Sequence, residues 1–210
     1  MVFVLVNCSG SPVGLVPETA SCQAILQAWY PGQAGGKAVA DVLFGEYNPS
    51  GKLPVTFYKN VNQLPDFEDY NMTGRTYRYF EGEPLYAFGH GLSYTTYTYG
   101  EVQAPATAKT DETIVVSVPV TNSGNMDGDE IVQLYLKKKG DEEGPIKTLR
   151  AFKRVHIPAG QTVNVELELT PSQLEWWNPA TNSMNTHAGK YEVMVGGNSK
   201  DVKSVEIALQ

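Results

Sequence analysis

The second half of the chain alternates between apolar and polar residues, which is typical of strands that bury one face. The clearest alternating runs are residues 114–120, 131–136, 163–169, 191–195 and 205–207. Turn sequences rich in Asn, Gly and Pro separate these runs, for example at residues 122–125 and 158–160. About seven short strands spaced in this way predict an antiparallel, immunoglobulin-like β-sandwich over residues 97–210.

The first 57 residues have a different pattern. Residues 2–6 form a continuous apolar run, as expected of a strand that is buried on both faces of a parallel sheet. Residues 24–29 predict a second short strand, and residues 38–44 predict a helix that ends at Gly45. Two strands and one helix are too few for a sheet of ordinary size. Residues 1–57 therefore predict the end of an α/β domain.

Residues 58–96 join these two parts and follow no regular period. Flexible linkers are normally poor in aromatic residues, whereas this stretch is rich in them. We therefore expect an extended connecting arm that packs on a protein surface. The rings that carry this expectation are those of Tyr70, Tyr77, Tyr79, Phe80, Tyr86, Phe88 and Tyr94.

Composition narrows the classes of partner. The 210 residues carry a net charge of −7, which disfavours a surface for nucleic acid or for anionic lipid. No apolar run approaches the roughly 20 residues that span a bilayer. The apolar run at residues 2–6 is too short for a signal peptide and has no basic flank. We expect neither a nucleic-acid nor a membrane partner.

The sequence contains no metal-binding or cofactor-binding motif. The three histidines are scattered, and the acidic turn in the second half lacks the twelve-residue pattern of a calcium loop. We therefore predict no metal and no cofactor. The residues considered are His90, His156, His187, Asp127, Asp129 and Glu130.

Acidic residues and cysteines offer two further possibilities. Hydrolysis of a glycosidic bond needs two carboxylates at a fixed separation. Asp66, Glu68 and Asp69 are close in sequence, but an extended arm gives no reason for them to face one pocket. A bridge between Cys8 and Cys22 would close a loop of about 15 residues and stabilise the fold by roughly 3 kcal/mol. Two buried free thiols are an equally good interpretation.

Several sequence blocks resemble family 3 glycoside hydrolases. AILQAWYPGQ at residues 24–33, NPSGKLPVTF at residues 48–57 and GRTYRYF at residues 74–80 are similar to the end of the family's α/β sandwich domain and to the segment after that domain. PLYAFGHGLSYT at residues 84–95 continues the resemblance. The remainder resembles the family's C-terminal fibronectin type III-like sandwich, so the resemblance covers essentially the whole chain.

The resemblance implies the C-terminal part of an exo-acting, retaining enzyme that removes terminal β-D-xylosyl or β-D-glucosyl residues from plant-type oligosaccharides. In the family, an aspartate nucleophile comes from an N-terminal barrel, and a glutamate acid/base comes from the earlier part of the α/β domain. No residue of this chain matches either position, so we assign no catalytic residue and expect the chain alone to be inactive. The GRTYR block at residues 74–78 favours xylosidase over glucosidase.

The resemblance also implies partners and a location. We expect residues 1–95 to be covered by the barrel and the remainder of the α/β domain, or by another chain. A periplasmic or secreted parent protein is favoured. The alternative function is a stand-alone carbohydrate-binding or protein-binding sandwich, which an exposed row of coplanar rings would favour.

Four residues are candidates for contact with substrate because aromatic faces and guanidinium groups suit sugars. They are Trp29, Tyr30, Arg75 and Arg78, and packing between domains is the alternative role for each. The adjacent Trp176 and Trp177 should point to opposite faces of a strand, so we expect at most one of them to be exposed.

Overall fold

The computed structural model of the chain describes residues 1–210, beginning with a small α/β unit. Strand β1 (Val4–Asn7) lies parallel to β2 (Ala24–Gln27), with helix α1 (Val16–Ser21) between them in sequence and helix α2 (Gly35–Leu43) after them. Both predicted strands and the predicted helix are present. Helix α1 was not predicted, because it spans six residues and buries none of them.

The expectation that residues 2–6 are buried on both faces is wrong for this chain. Phe3 and Val4 are 55% and 44% exposed, and Leu5 and Val6 are only half-buried. The physical reason is that β1 has a single neighbouring strand, so a two-stranded sheet leaves most of its apolar surface uncovered.

Cys8 and Cys22 are both free, so the considered bridge is not formed. The parallel register aligns Asn7 with Gln27 and Val4 with Ala24. Cys8 follows the end of β1 and Cys22 precedes the start of β2, so the two lie at opposite ends of the sheet. At about 3.3 Å per residue they are roughly 20 Å apart, far beyond the reach of a disulfide. Cys8 is also exposed, so the interpretation as two buried thiols is wrong as well.

The arm contains two short turns of helix, at Val61–Gln63 and in α3 (Thr76–Tyr79). Strands β3 to β12 follow it in residues 97–210. They are β3 (Tyr97–Tyr99), β4 (Thr107–Ala108), β5 (Ile114–Asn122), β6 (Gly128–Lys138), β7 (Thr148–Ile157), β8 (Thr162–Leu169), β9 (Trp176–Asn178), β10 (Ser183–Asn185), β11 (Gly189–Gly196) and β12 (Val202–Leu209).

Two sheets build the second half. One has the strand order β4-β12-β11-β6-β7 and the other β3-β5-β8, while β9 and β10 form a separate hairpin. All pairs are antiparallel except β12 with β4. Eighteen buried residues form one apolar cluster between the sheets, and all of them lie between Ile114 and Leu209.

The arm packs on the outer face of the five-stranded sheet. Tyr77 stacks on Phe88 with ring centroids 4.2 Å apart, and it meets the ring of Tyr135 edge-on at 5.9 Å. The amide of Leu149 donates to the Tyr77 hydroxyl at 3.0 Å. The sandwich of this chain therefore covers part of the aromatic surface of the arm.

None of the helices combines the length and the apolar character that a membrane-spanning helix requires.

Candidate functional site

The carboxyl ends of β1 and β2 form the edge at which parallel sheets usually bind ligands. There, Asn7 at the end of β1 donates from its side-chain amide to Gln27 Oε1 at 2.7 Å and to Ser9 Oγ at 3.0 Å. Gln27 donates in turn to the backbone oxygen of Ser9 at 3.0 Å. This network fixes the loop after β1 beside the loop after β2.

Trp29 lies at this edge in an unusual backbone conformation. Its φ of 54° is in the left-handed region, which a bulky residue rarely adopts and which costs roughly 1–3 kcal/mol unless its surroundings enforce it. The indole ring meets the ring of Phe57 edge-on, with centroids 6.2 Å apart. Because Phe57 is almost completely buried, the segment directly before the arm provides a fixed support for Trp29.

Tyr30 is 81% exposed, and its ring lies directly over Gly10. A Cβ atom at Gly10 would approach Cε2 of the ring to 2.3 Å, so only glycine permits this placement. The loop then turns tightly into α2, because Gly35 lets Pro31 pack against the start of the helix. Trp29 and Tyr30 thus share one edge of the sheet with the loop after β1.

Arg75 lies in the arm and binds the arm's own backbone. Its Nε donates to the carbonyl of Asn71 at 3.1 Å, and Nη2 donates to the carbonyls of Asp66 and Asp69. These bonds fold residues 66–75 into one loop. They occupy Nε and Nη2 of the guanidinium group, so only Nη1 is left to bind another ligand.

Arg78 lies on α3 and forms no ion pair, and its Nε is buried without a hydrogen-bond partner. Its Cζ lies 5.6 Å from the centroid of the Tyr79 ring, while its carbonyl accepts from the amide of Ile146 at 2.7 Å. The preceding Thr76 has a φ of 56°, so the turn that places Arg78 is strained. The two arginines thus differ in their contacts: Arg75 is hydrogen-bonded to the backbone of the arm, whereas Arg78 Nε has no hydrogen-bond partner.

The acidic residues of the arm stabilise their own turns. Asp66 accepts from the amide of Glu68 at 3.0 Å, and Asp69 accepts from the amide of Asn71 at 2.9 Å. The bonds from the Asn71 backbone and side chain lower the pKa of Asp69.

The side chains of His, Cys, Asp and Glu form no group of three or more that could hold a metal ion.

An ion pair joins the segment before the arm to the sandwich, and no pattern in the sequence pointed to it. Lys52 Nζ lies 3.1 Å from Glu130 Oε2, and the two side chains are only 14% and 5% exposed. Tyr99 donates to Glu130 Oε1 at 2.8 Å. Burial, followed by the charge of Glu130, raises the pKa of Tyr99 well above its usual range, so the hydroxyl keeps its proton and donates.

The sandwich exposes two large rings on separate strands. Trp176 is buried and Trp177 is 57% exposed, which confirms that they point to opposite faces. Phe152 on β7 is 68% exposed. Neither exposed ring pairs with another aromatic ring.

Comparisons with known proteins find matches over most of the chain. Residues 2–94 match the glycosyl hydrolase family 3 C-terminal domain, and residues 130–199 match the fibronectin type III-like domain. The chain is 56% identical over 209 residues to a xylan 1,4-beta-xylosidase of Xylanibacter ruminicola, covering 98% of this chain and 24% of the relative. It is 38% identical to a periplasmic beta-glucosidase of Salmonella typhimurium, covering 99% of this chain and 29% of the relative.

Solved structures give the same result. A β-glucosidase from Erythrobacter marinus superposes with a TM-score of 0.86 at 39% identity, over 99% of this chain and 28% of that chain. The chain thus spans between 24% and 29% of the length of these relatives. It belongs to glycoside hydrolase family 3 and corresponds to the C-terminal portion of such proteins, including the fibronectin type III-like domain.

Proposed function

We propose that this chain is the C-terminal structural part of an exo-acting, retaining β-glycosidase. The observation that carries the proposal is the 56% identity, over nearly the whole chain, to the xylan 1,4-beta-xylosidase of Xylanibacter ruminicola. The substrate class we propose is a plant-type oligosaccharide with a terminal β-D-xylosyl residue. Terminal β-D-glucosyl residues are the second choice, since other relatives are named beta-glucosidases.

The proposal includes inactivity of the chain on its own. Retaining hydrolysis uses two carboxyl groups about 5 Å apart. Asp66 and Asp69 are engaged in capping their own turns. We infer that the nucleophile and the acid/base are supplied by a part of the enzyme outside these 210 residues.

The exposed apolar surface of residues 1–95 is the reason to propose that a large partner covers this part of the chain. We propose that the N-terminal barrel and the remainder of the α/β domain cover it, with residues 1–57, 58–96 and 97–210 as the α/β end, the arm and the sandwich. Large contiguous apolar surfaces rarely stay exposed in soluble proteins. The apolar residues here that are more than half exposed are Met1, Val2, Phe3, Tyr30, Phe44, Val61, Phe67, Tyr70 and Leu92.

Trp29 and Tyr30 are the residues that we propose for the rim of the sugar site. Their support is the position at the carboxyl edge of the parallel strands, the strained φ of Trp29 and the exposure of Tyr30. For Arg75 we propose the packing role, because its donors hold the arm loop. Arg78 remains a candidate for contact with substrate through its terminal nitrogens.

A chimeric enzyme tests the proposal. The matching C-terminal segment of the Xylanibacter ruminicola xylosidase is replaced by this chain, and kcat/KM is measured on p-nitrophenyl β-xyloside and β-glucoside. We expect the chimera to hydrolyse both and to prefer the xyloside, and we expect the 210-residue chain alone to hydrolyse neither.

The controls separate folding from function. The natural xylosidase and its version without the C-terminal segment set the upper and lower limits of activity. Turnover by the purified chain alone would overturn the proposed inactivity. A folded chimera no more active than the shortened enzyme would overturn the structural role.

A further inference from the structure

A cleft of about 460 Å³ lies between the arm and the five-stranded sheet, and the proposed function does not use it. Its volume is within the range of small-molecule sites. The arm and the sandwich both contribute to its walls, so it exists only because the arm is docked. The main side chains lining it are those of Tyr77, Phe80, Phe88, Lys137, Lys147 and Lys200.

Two lysines line this cleft without forming an ion pair, and Glu192 lies opposite one of them, Lys137, on the neighbouring strand β11. Lys147 donates to the backbone carbonyl of Ser199 at 2.7 Å, and neither Lys147 nor Lys137 forms an ion pair. Burial lowers the pKa of Lys147; Glu192 acts against this shift, and the charge of Lys137 adds to it. Half-buried cations beside one another favour a bound anion.

The remaining charges of the cleft are largely balanced. Glu83 lines it but forms an ion pair with Lys200, and Glu81 is exposed. Thr56 also lines the cleft, is 6% exposed and has a buried hydroxyl oxygen with no hydrogen-bond partner. A buried hydroxyl without a partner costs free energy that a polar ligand could recover. The lining therefore holds three lysines against two glutamates, in a chain of net charge −7.

We propose that the cleft binds a sugar that carries a carboxylate, such as a hexuronate. Lys137 and Lys147 supply the charge for the carboxylate, Thr56 supplies a partner for a hydroxyl, and the neighbouring rings offer an apolar face to the sugar ring. A small inorganic anion would use the two lysines alone and leave most of the volume empty.

Calorimetric or NMR titration of the chain with D-glucuronate, D-glucose and inorganic sulfate tests the proposal. We expect saturable binding of glucuronate with a Kd on the order of 1 mM. Glucose and sulfate should each bind at least about tenfold more weakly. Lys147→Gln and Lys137→Gln should each weaken glucuronate binding about tenfold, whereas Lys147→Arg retains it. Lys109→Gln, an exposed lysine outside the cleft, is the matched control.

Every other outcome contradicts the proposal. Equal binding of glucose removes the role of the carboxylate, and equal binding of sulfate reduces the cleft to a general anion site. No saturation by about 20 mM glucuronate, or an equal loss in Lys109→Gln, excludes a specific site. Thermal unfolding shows whether each variant is folded. If Lys147→Gln does not fold, the binding measured for Lys137→Gln tests the proposal instead.

Discussion

Gly10 and Tyr30 act as a pair, because the ring of Tyr30 occupies the space that a side chain at position 10 would fill. In Gly10→Ala the new Cβ forces the exposed ring to swing away, which changes the free energy of unfolding by no more than about 0.5 kcal/mol. If Tyr30 borders the sugar site, KM for the aryl β-xyloside in the chimera rises about threefold to tenfold, with kcat largely retained. Steady-state kinetics and denaturant unfolding measure the two effects.

Gly36→Ala is the control for this substitution. A Cβ there meets no atom within 4 Å and lies within α2, where alanine stabilises a helix by about 0.5–1 kcal/mol relative to glycine. Its KM should be unchanged. An equal rise of KM in both variants would show that the effect does not depend on the Tyr30 ring.

His90 gives the fold a pH dependence of predictable sign. Burial, with the charge of Lys52 adding to it, lowers the pKa of His90 below its ordinary value of 6.5, and the imidazole stacks on Tyr86 at 4.9 Å. Between the lowered pKa and 6.5 the unfolded chain binds more protons than the folded one. The contribution of His90 to the free energy of unfolding is therefore fully present above about pH 6.5 and is lost as the pH falls through the lowered pKa of the folded state.

His90→Phe checks this prediction, because it keeps an aromatic ring against Tyr86 and removes the titrating group. Urea unfolding between about pH 7 and pH 5 should show a shallower pH dependence in the variant than in the natural chain. This range lies above the region in which Asp69, Asp129 and Glu206 titrate, since the pKa of each is lowered. An identical slope in both proteins would contradict the assignment to His90.

At the scale of elements, Tyr77 attaches the arm to the sandwich together with backbone bonds from Ile146 to Arg78 and from Ser199 to Phe88. Tyr77→Ala removes the stack on Phe88 and the contact with Tyr135, and should lower the free energy of unfolding by about 2–3 kcal/mol. Tyr77→Phe removes only the bond from the Leu149 amide and should cost about 1 kcal/mol. Tyr70→Ala, at a residue 91% exposed, is the control and should change stability by less than about 0.5 kcal/mol. Denaturant unfolding ranks the three, and equal losses would exclude this docking role.

Strands with one buried face, such as β5 and β8, were predicted because their apolar residues alternate with polar ones. Strand β7 escaped prediction because it is the edge strand of its sheet and carries Arg150, Lys153 and Arg154. Edge strands tolerate such charges, which discourage further pairing, and so their apolar pattern is weak. In β6, Tyr135 faces outward and is nevertheless fully buried, since the arm covers it.

Only those parts of the candidate site that depend on the local sequence pattern were predictable. Trp29 and Tyr30 stand directly after a predicted strand, so their place at the edge of the parallel sheet follows from the local pattern. The support from Phe57 and the fit of Gly10 beneath the ring depend on contacts between distant segments. The pair Lys52–Glu130 joins residues 78 apart in sequence, and neither local pattern contains a signal for it.

For the whole molecule, burial is strongly uneven. All eighteen residues of the main apolar cluster belong to the sandwich, whereas no residue of β1, α1 or β2 is buried. Local opening costs least where few apolar contacts are lost. The α/β unit should therefore open far more often than the sandwich, although the arm and the pair Lys52–Glu130 connect the two.

Hydrogen exchange followed by mass spectrometry measures this difference. In the 210-residue chain, amides of β1 and β2 should exchange at least about a hundredfold faster than those of β6 and β11. In the chimera, the N-terminal part of the xylosidase covers the α/β unit, so the protection of β1 and β2 should rise toward that of the sandwich while β6 and β11 change little. Equal protection of all four strands in the isolated chain would show that the α/β unit is stable without a partner. Unchanged exchange of β1 and β2 in an active chimera would place the partner surface elsewhere.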